Sequence, residues 1–298
     1  MTRIDPAVSA TADLRRDLRR ETAFFLSLSL PALVLVGLCA MLPILWILRQ
    51  SFLTLRGTYT LSNWEKLLSS DLTWRAIWST VELSAGTLVL CCILGLPLAL
   101  ALASAPQKLA NRLLVLLMLP LWTSILVRTY GWLVLLRRDG LVNQGLQSIG
   151  LTDTPLALVY NFTGTLIGMV HFMLPLFVLP TYAALRDIDH NTIRASASMG
   201  ASLPRTLVSV VLPLAAGGIR SGSMIVFIYT LGFFITPAIL GGGQVNPIAI
   251  RIERTLSTFQ NWGAASALGI LLLLLVALAA ALLVGVRHLL SRRGGHHA

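Results

Sequence analysis

The chain has 298 residues, 56% of them hydrophobic and only 12% charged, with a net charge of +11 and a mean hydropathy of +0.79. Soluble domains carry about 25% charged residues, so this composition excludes an ordinary soluble protein and points to an integral membrane protein. The basic excess does not read as a nucleic-acid face either, because Lys and Arg punctuate the apolar runs instead of clustering along one helix.

Crossing the hydrocarbon core takes about 20 apolar residues in a helix, since about 30 Å is covered at 1.5 Å per residue. Six runs meet that length, at about 23–48, 77–104, 113–136, 162–185, 207–239 and 263–290. The expected fold class is therefore an all-α membrane protein with six transmembrane helices. Its parts read as an N-terminal tail over 1–22, a first transmembrane helix over 23–50, a five-span core over 77–290 and a tail over 291–298. The first run is about twice the length of a signal-peptide apolar core and has no A-x-A exit, so it reads as a retained anchor. The fifth run is too long for one span, and its surplus is assigned to the loop that precedes it.

Orientation follows from the cations. Thirteen Lys and Arg fall in the two tails and the second and fourth loops, against eight in the other three, generally longer loops. The positive-inside rule then puts both termini and the 186–206 loop in the cytoplasm. Of the external loops, one carries Ser62 as the expected N-cap of a short surface helix. Another carries an Asp139-Gly140 turn before an amphipathic piece led by Leu141 and Leu146.

Several chemistries are excluded by what is missing. A phosphate-binding loop needs Gly before its Lys, yet the only lysines, Lys66 and Lys108, do not follow glycine. H-E-x-x-H and G-x-S-x-G are absent. Cys39, Cys91 and Cys92 lie in apolar runs without metal-ligand spacing and read as small hydrophobes. No catalytic, cofactor or metal residues are expected. Ion-driven transport usually needs acidic groups within the spans, and only Glu82 qualifies.

Between the fourth and fifth runs the chain turns polar, reading RDIDHNTIRASASMGASLPRTLVSVVLP from Arg186 to Pro213. Asp189 or Asn191 can cap a helix with its body at Thr192–Met199, and Gly200 stands where a helix ends in a left-handed residue. Ser202 is a second N-cap, with Leu203 and Pro204 opening the next helix and Pro213 marking entry to the fifth span. A helix resting on lipid needs large apolar residues along one face, and this one has only Ile193 and Met199. Its small side chains favour docking against another protein.

This segment resembles the cytoplasmic signature of binding-protein-dependent ABC importer permeases: EAA, three residues, G, nine residues, I-x-L-P. Here it falls as Arg194-Ala195-Ser196, Gly200, then Val210, Leu212 and Pro213, with every interval matched and Arg194 at the usual Glu position. The stretch LPLWTSILVRTYGWLVLLRRDGLVNQGL over 119–146 is similar to the corresponding segment of the spermidine/putrescine permease subfamily. The resemblance covers about 23–290. It implies a MetI-like core in a bacterial inner membrane, with residues 189–213 forming a cytoplasmic coupling-helix loop that seats Met199 and its neighbours on a separate ATPase dimer, which holds ATP and Mg. It also implies a second homologous permease subunit, a periplasmic solute-binding protein, and a small solute such as a polyamine, a related organic amine or an opine. The alternative is an ATP-independent secondary transporter, which gives no reason for the 193–213 spacing.

Four polar residues within the spans are candidate pathway groups: Glu82, Arg128, His171 and Arg220. An Arg at mid-membrane costs about 2.5–3.5 kcal/mol on insertion scales, so Arg128 calls for a partner, a wet cavity or a snorkelling route to the interface. Glu82 is its first candidate partner. Arg220 reads equally as a structural or a substrate contact, and His171 as a packed histidine. GFFITPAILGGG, ending at Gly243, is the expected gate.

Overall fold

The computed structural model describes residues 6–294, with side chains described from Glu21 to Gly285 apart from 22–24, 26, 283 and 284. The first five and last four residues, and with them the far ends of the expected 1–22 and 291–298 tails, lie outside the described residues.

In chain order the helices are α1 (Pro6–Ser51), α2 (Ser62–Leu68), α3 (Asp71–Ser104), α4 (Gln107–Trp122), α5 (Ile125–Leu136), α6 (Leu141–Ser148), α7 (Phe162–Arg186), α8 (His190–Ser198), α9 (Leu203–Thr206), α10 (Leu212–Leu231), α11 (Ile235–Leu240), α12 (Ile248–Ser257) and α13 (Trp262–Gly294). Five stretches are long and apolar enough to cross a membrane: Ser27–Ser51, Asp71–Ser104, Phe162–Arg186, Leu203–Leu231 and Trp262–Leu282. The bent pair that begins with α4 and continues from Ile125 makes a sixth if it is counted as one span.

Two expectations change in shape. The run at 113–136 is not one straight helix, because it breaks at Thr123-Ser124 and the two halves meet at 98°. Both linking residues are extended, with ψ of 147° and 132°, and Pro120 just before them cannot donate to the preceding turn. The fifth run also divides differently. Its span runs from Leu203 to Leu231 and stops at Gly232, so the surplus lies at the far end, where α11 forms a separate short helix. Gly241, Gly242 and Gly243 of the expected gate sit in the turn after α11: Gly241 N–H donates to Pro237 O at 3.0 Å, and a Cβ on Gly242 would meet the Tyr160 ring at 2.5 Å. α2 begins at Ser62 itself, and no side chain caps it.

The core is a three-helix packing of α3, α7 and α10 around the buried Phe177. Small residues make it dense. A Cβ on Gly95 of α3 would come 2.5 Å from the Phe177 ring, and one on Gly222 of α10 would come 2.7 Å from Phe177 O. One turn earlier, Gly218 abuts Pro180 O and Ala184. Gly218 and Gly222 thus form a G-x-x-x-G face that lets two backbones touch, the arrangement that packs helices where lipid is as apolar as leucine. α13 packs against α1 and α12, with Trp46 and Trp262 edge-on at 6.2 Å. α12 is pinned to α3 by a buried bond, Ile248 N–H to Thr80 Oγ1, at 2.9 Å.

Replacing Gly222 with Val is expected to cost about 1–3 kcal/mol by overpacking, read as a lower thermal midpoint of the purified chain. Gly217→Ala, where an added Cβ meets nothing within 4 Å, is the control; equal midpoints for the two variants would disprove the close approach.

Candidate functional site

The polar loop folds as a helix, a glycine turn and a second helix. Asp189 caps α8 by accepting from Asn191 N–H at 2.9 Å. At its end, Gly200 N–H donates to Ala197 O at 2.9 Å and Ala201 N–H to Ser196 O at 3.2 Å, with Gly200 at φ +80°. This pair of bonds around a left-handed residue is a Schellman ending, which is why glycine stands at this position. α9 then opens at Leu203 with Pro204 in its first turn.

The second helix does not end before the membrane. α9 runs through a π-helical turn, Leu207–Val211, straight into α10, with Leu212 N–H donating to Leu207 O five residues back. Pro213 follows that turn. A π turn interrupts the regular ladder inside a helix, and Pro213, with no N–H to donate, removes one more of its bonds. Val210, Leu212 and Pro213 therefore lie on a continuous joint between loop and span.

Ser196 and Thr206, only 5% and 6% exposed, meet hydroxyl to hydroxyl at 3.0 Å and fasten α8 to α9. Around this fastening the surface is apolar and open: Met199 is 82% exposed and Leu203 86%. Arg194, Ala195 and Gly200 are exposed beside them. The loop is thus an internally fastened two-helix hook with a greasy tip and two exposed cations, Arg194 and Arg205. Sequence reasoning placed Ser196 in the signature and Leu203 at the start of the second helix but missed Thr206, because nothing in the spacing announces a hydroxyl pair ten residues apart.

The four intramembrane polar residues do not converge. Glu82 is exposed on α3, and among the described residues the one ion pair is Arg137 with Asp139 at 3.3 Å, so Glu82 is not the partner of Arg128. Arg128 instead donates through Nη1 to Pro120 O and lies 4.4 Å from the centroid of the Phe172 ring. The partner is the bend itself: a broken helix leaves its last carbonyls without donors, and the guanidinium supplies one while an aromatic face shields it. Phe172 continues into a cluster with Phe233 at 5.4 Å and the exposed Tyr229 at 5.8 Å. His171 accepts from Trp132 Nε1 through Nδ1 at 3.0 Å, which ties α7 to α5. Arg220 turns back to its own helix, donating to Ala216 O at 2.9 Å.

A polytopic helical bundle with an apolar-tipped two-helix loop running into one of its spans is the architecture of a membrane permease. The family model described as "Binding-protein-dependent transport system inner membrane component" matches residues 93–293, and the chain belongs to that family. It is the permease subunit of an ABC importer and a multi-pass protein of the inner membrane.

Relatives include the spermidine/putrescine transport system permease proteins PotB of Escherichia coli K12 and Haemophilus influenzae. The first is 30% identical over 243 residues, covering 80% of this chain and 88% of that one. The second is 30% identical over 259 residues, covering 85% and 90%. A bacterial ABC transporter that imports the acidic polysaccharide alginate contains a chain of the same fold, with a TM-score of 0.72 and 18% identity over 94% of this chain and 99% of that one.

Ser196→Ala alone is expected to destabilise the hook by about 1–3 kcal/mol, because Thr206 keeps a buried hydroxyl without its partner. Adding Thr206→Val should recover most of that loss. A thermal-stability double-mutant cycle checks it, and additive losses would mean the hydroxyls do not interact.

Proposed function

We propose that the chain moves a polyamine, a related organic amine or an opine-like solute, delivered by a periplasmic solute-binding protein, and that its hook at 189–213 is gripped by a separate ATPase dimer. Both termini and the hook lie in the cytoplasm in this reading, as the Lys and Arg distribution favours. A second homologous permease subunit lines the other half of the pathway. ATP and Mg belong to the ATPase, and the chain itself makes or breaks no bond.

The observation that carries this reading is the hook: a loop internally fastened at Ser196 and Thr206 that leaves Met199 and Leu203 in the open. Large exposed apolar residues on a polar loop fit a groove on a partner, and methionine adapts to such a groove. The continuous path from α9 into α10 gives any displacement of the hook a direct route into the span that carries Gly218 and Gly222. Coupling then follows if the ATPase binds the hook differently in its two states, since a ligand shifts a conformational equilibrium only by its differential affinity. Arg194, standing where the family signature has Glu, calls for a carboxylate on the facing surface of this ATPase.

Support for an amine solute comes from the relatives named for spermidine and putrescine. The alternative of ion-driven transport has little to stand on, with Glu82 the one carboxylate in the interior of the described spans and Asp71 only at the end of one.

Gly200→Val places a branched side chain at φ +80° and, in this reading, distorts the hook while the spans still insert. ATP-driven uptake in vesicles and co-purification of the ATPase are both expected to fall at least about tenfold, since the strain alone is of order 1–3 kcal/mol. Normal uptake by this variant would remove the hook from the mechanism. The solute is read by titrating the receptor encoded beside this gene with spermidine, putrescine and an opine; binding of none of them would reject the amine assignment.

A further inference from the structure

We propose that the cavity between α3 and α12 is a binding site for an oxyanion, a carboxylate or phosphate carried on a small hydroxylated ligand. The site goes beyond the transport reading and needs no assumption about which solute crosses the membrane.

The cavity holds about 510 Å³, which lies within the range of small-molecule sites. One wall is a single face of α3, where Leu72, Arg75, Ala76 and Ser79 recur at i, i+3, i+4 and i+7. The other wall is α12, which contributes Arg251 and Arg254. The buried bond from Ile248 to Thr80 sets the spacing of the two walls. A smaller cavity of about 160 Å³ shares Arg251 with it and is also lined by Lys66 and Thr73. Four cations thus surround two adjoining spaces.

None of them is neutralised. Among the described residues the one carboxylate within 4.0 Å of a Lys or Arg is Asp139, beside Arg137 and outside both cavities. Arg251 is half-buried, and its Nη2 bonds only weakly to Ser70 Oγ at 3.4 Å. Burial first, and the nearby Arg254 second, push its guanidinium below its usual pKa. Gathering like charges against a half-buried guanidinium is unfavourable unless an anion joins them. Arg forks match the planar pair of oxygens on a carboxylate or phosphate.

A second set of atoms points to the rest of the ligand. Thr73, 1% exposed, leaves Oγ1 without a hydrogen-bond partner in the smaller cavity, and Asn246 leaves a buried Oδ1 unpartnered in the larger one. Buried polar atoms normally find partners. The Asn246 amide oxygen accepts only, and the Thr73 hydroxyl both donates and accepts. A ligand that presents hydroxyl groups beside its anionic group satisfies both.

The test uses the full chain in nanodiscs of phosphatidylcholine, with malate and inorganic phosphate as probes against chloride at matched ionic strength. A saturable rise in thermal midpoint with malate or phosphate is expected. Arg251→Met should weaken the apparent affinity at least about tenfold, and Arg75→Gln, a change at an exposed position, should weaken it as well. Arg138→Gln, outside the cavity, should leave it unchanged. Nanodiscs containing phosphatidylglycerol separate the two sources of phosphate. If that lipid blocks the malate response of the unsubstituted chain, the occupant is a headgroup; if it does not, the occupant is a soluble anion; either result supports the site. Equal responses to chloride and malate, or a malate response that survives both Arg75→Gln and Arg251→Met, would overturn it.

Discussion

The structure depends on how closely α10 can lie against α7. In a bilayer the solvent offers no hydrophobic reward for bringing two apolar helices together, so packing must come from surfaces that fit. Gly218 and Gly222 provide one such surface, and Phe177, the side chain at its centre, fills the space that Gly95 leaves open on α3. Three helices from distant parts of the sequence are thereby locked through one ring and three glycines. The other features hang from this unit: the hook extends from one end of α10, the aromatic cluster sits on α7, at the other end of α10 and just beyond it, and α12 is pinned to α3.

Much of this was legible beforehand because membrane insertion writes itself in composition. Runs of apolar residues long enough to cross, and cations between them, leave few alternatives, and five of the six expected spans stand as single long helices. The hook was legible for a different reason. Asp189, Gly200 and Pro204 act through local backbone rules, so a cap, a left-handed turn and a helix start are read residue by residue without knowing the rest of the fold.

What was not legible depends on contacts between distant segments. Pro120 hinted at a kink, but only the structure shows a 98° break and the reason Arg128 belongs there. Electrostatic intuition paired Arg128 with Glu82, the other charged residue on the same side. The carbonyl freed at Pro120 and the Phe172 face make a neutral solution to the same problem, and such a solution leaves no trace in a count of charges. The Ser196–Thr206 fastening and the Thr80–Ile248 bond are likewise pairings of common residues at arbitrary separations.

The π turn between hook and span has a consequence in rotation. An ordinary helix advances about 100° per residue, and a π turn accommodates one residue more than the ladder around it. The faces before and after Leu207–Val211 are therefore out of phase by about one residue's rotation. Met199 and Leu203 aim where they do, relative to the glycine face that grips α7, because of that offset. A regular helix over the same residues would turn the hook about the axis of α10 and also shift it along that axis. The same few residues that precede Pro213 thus set the direction in which the hook's apolar tip faces.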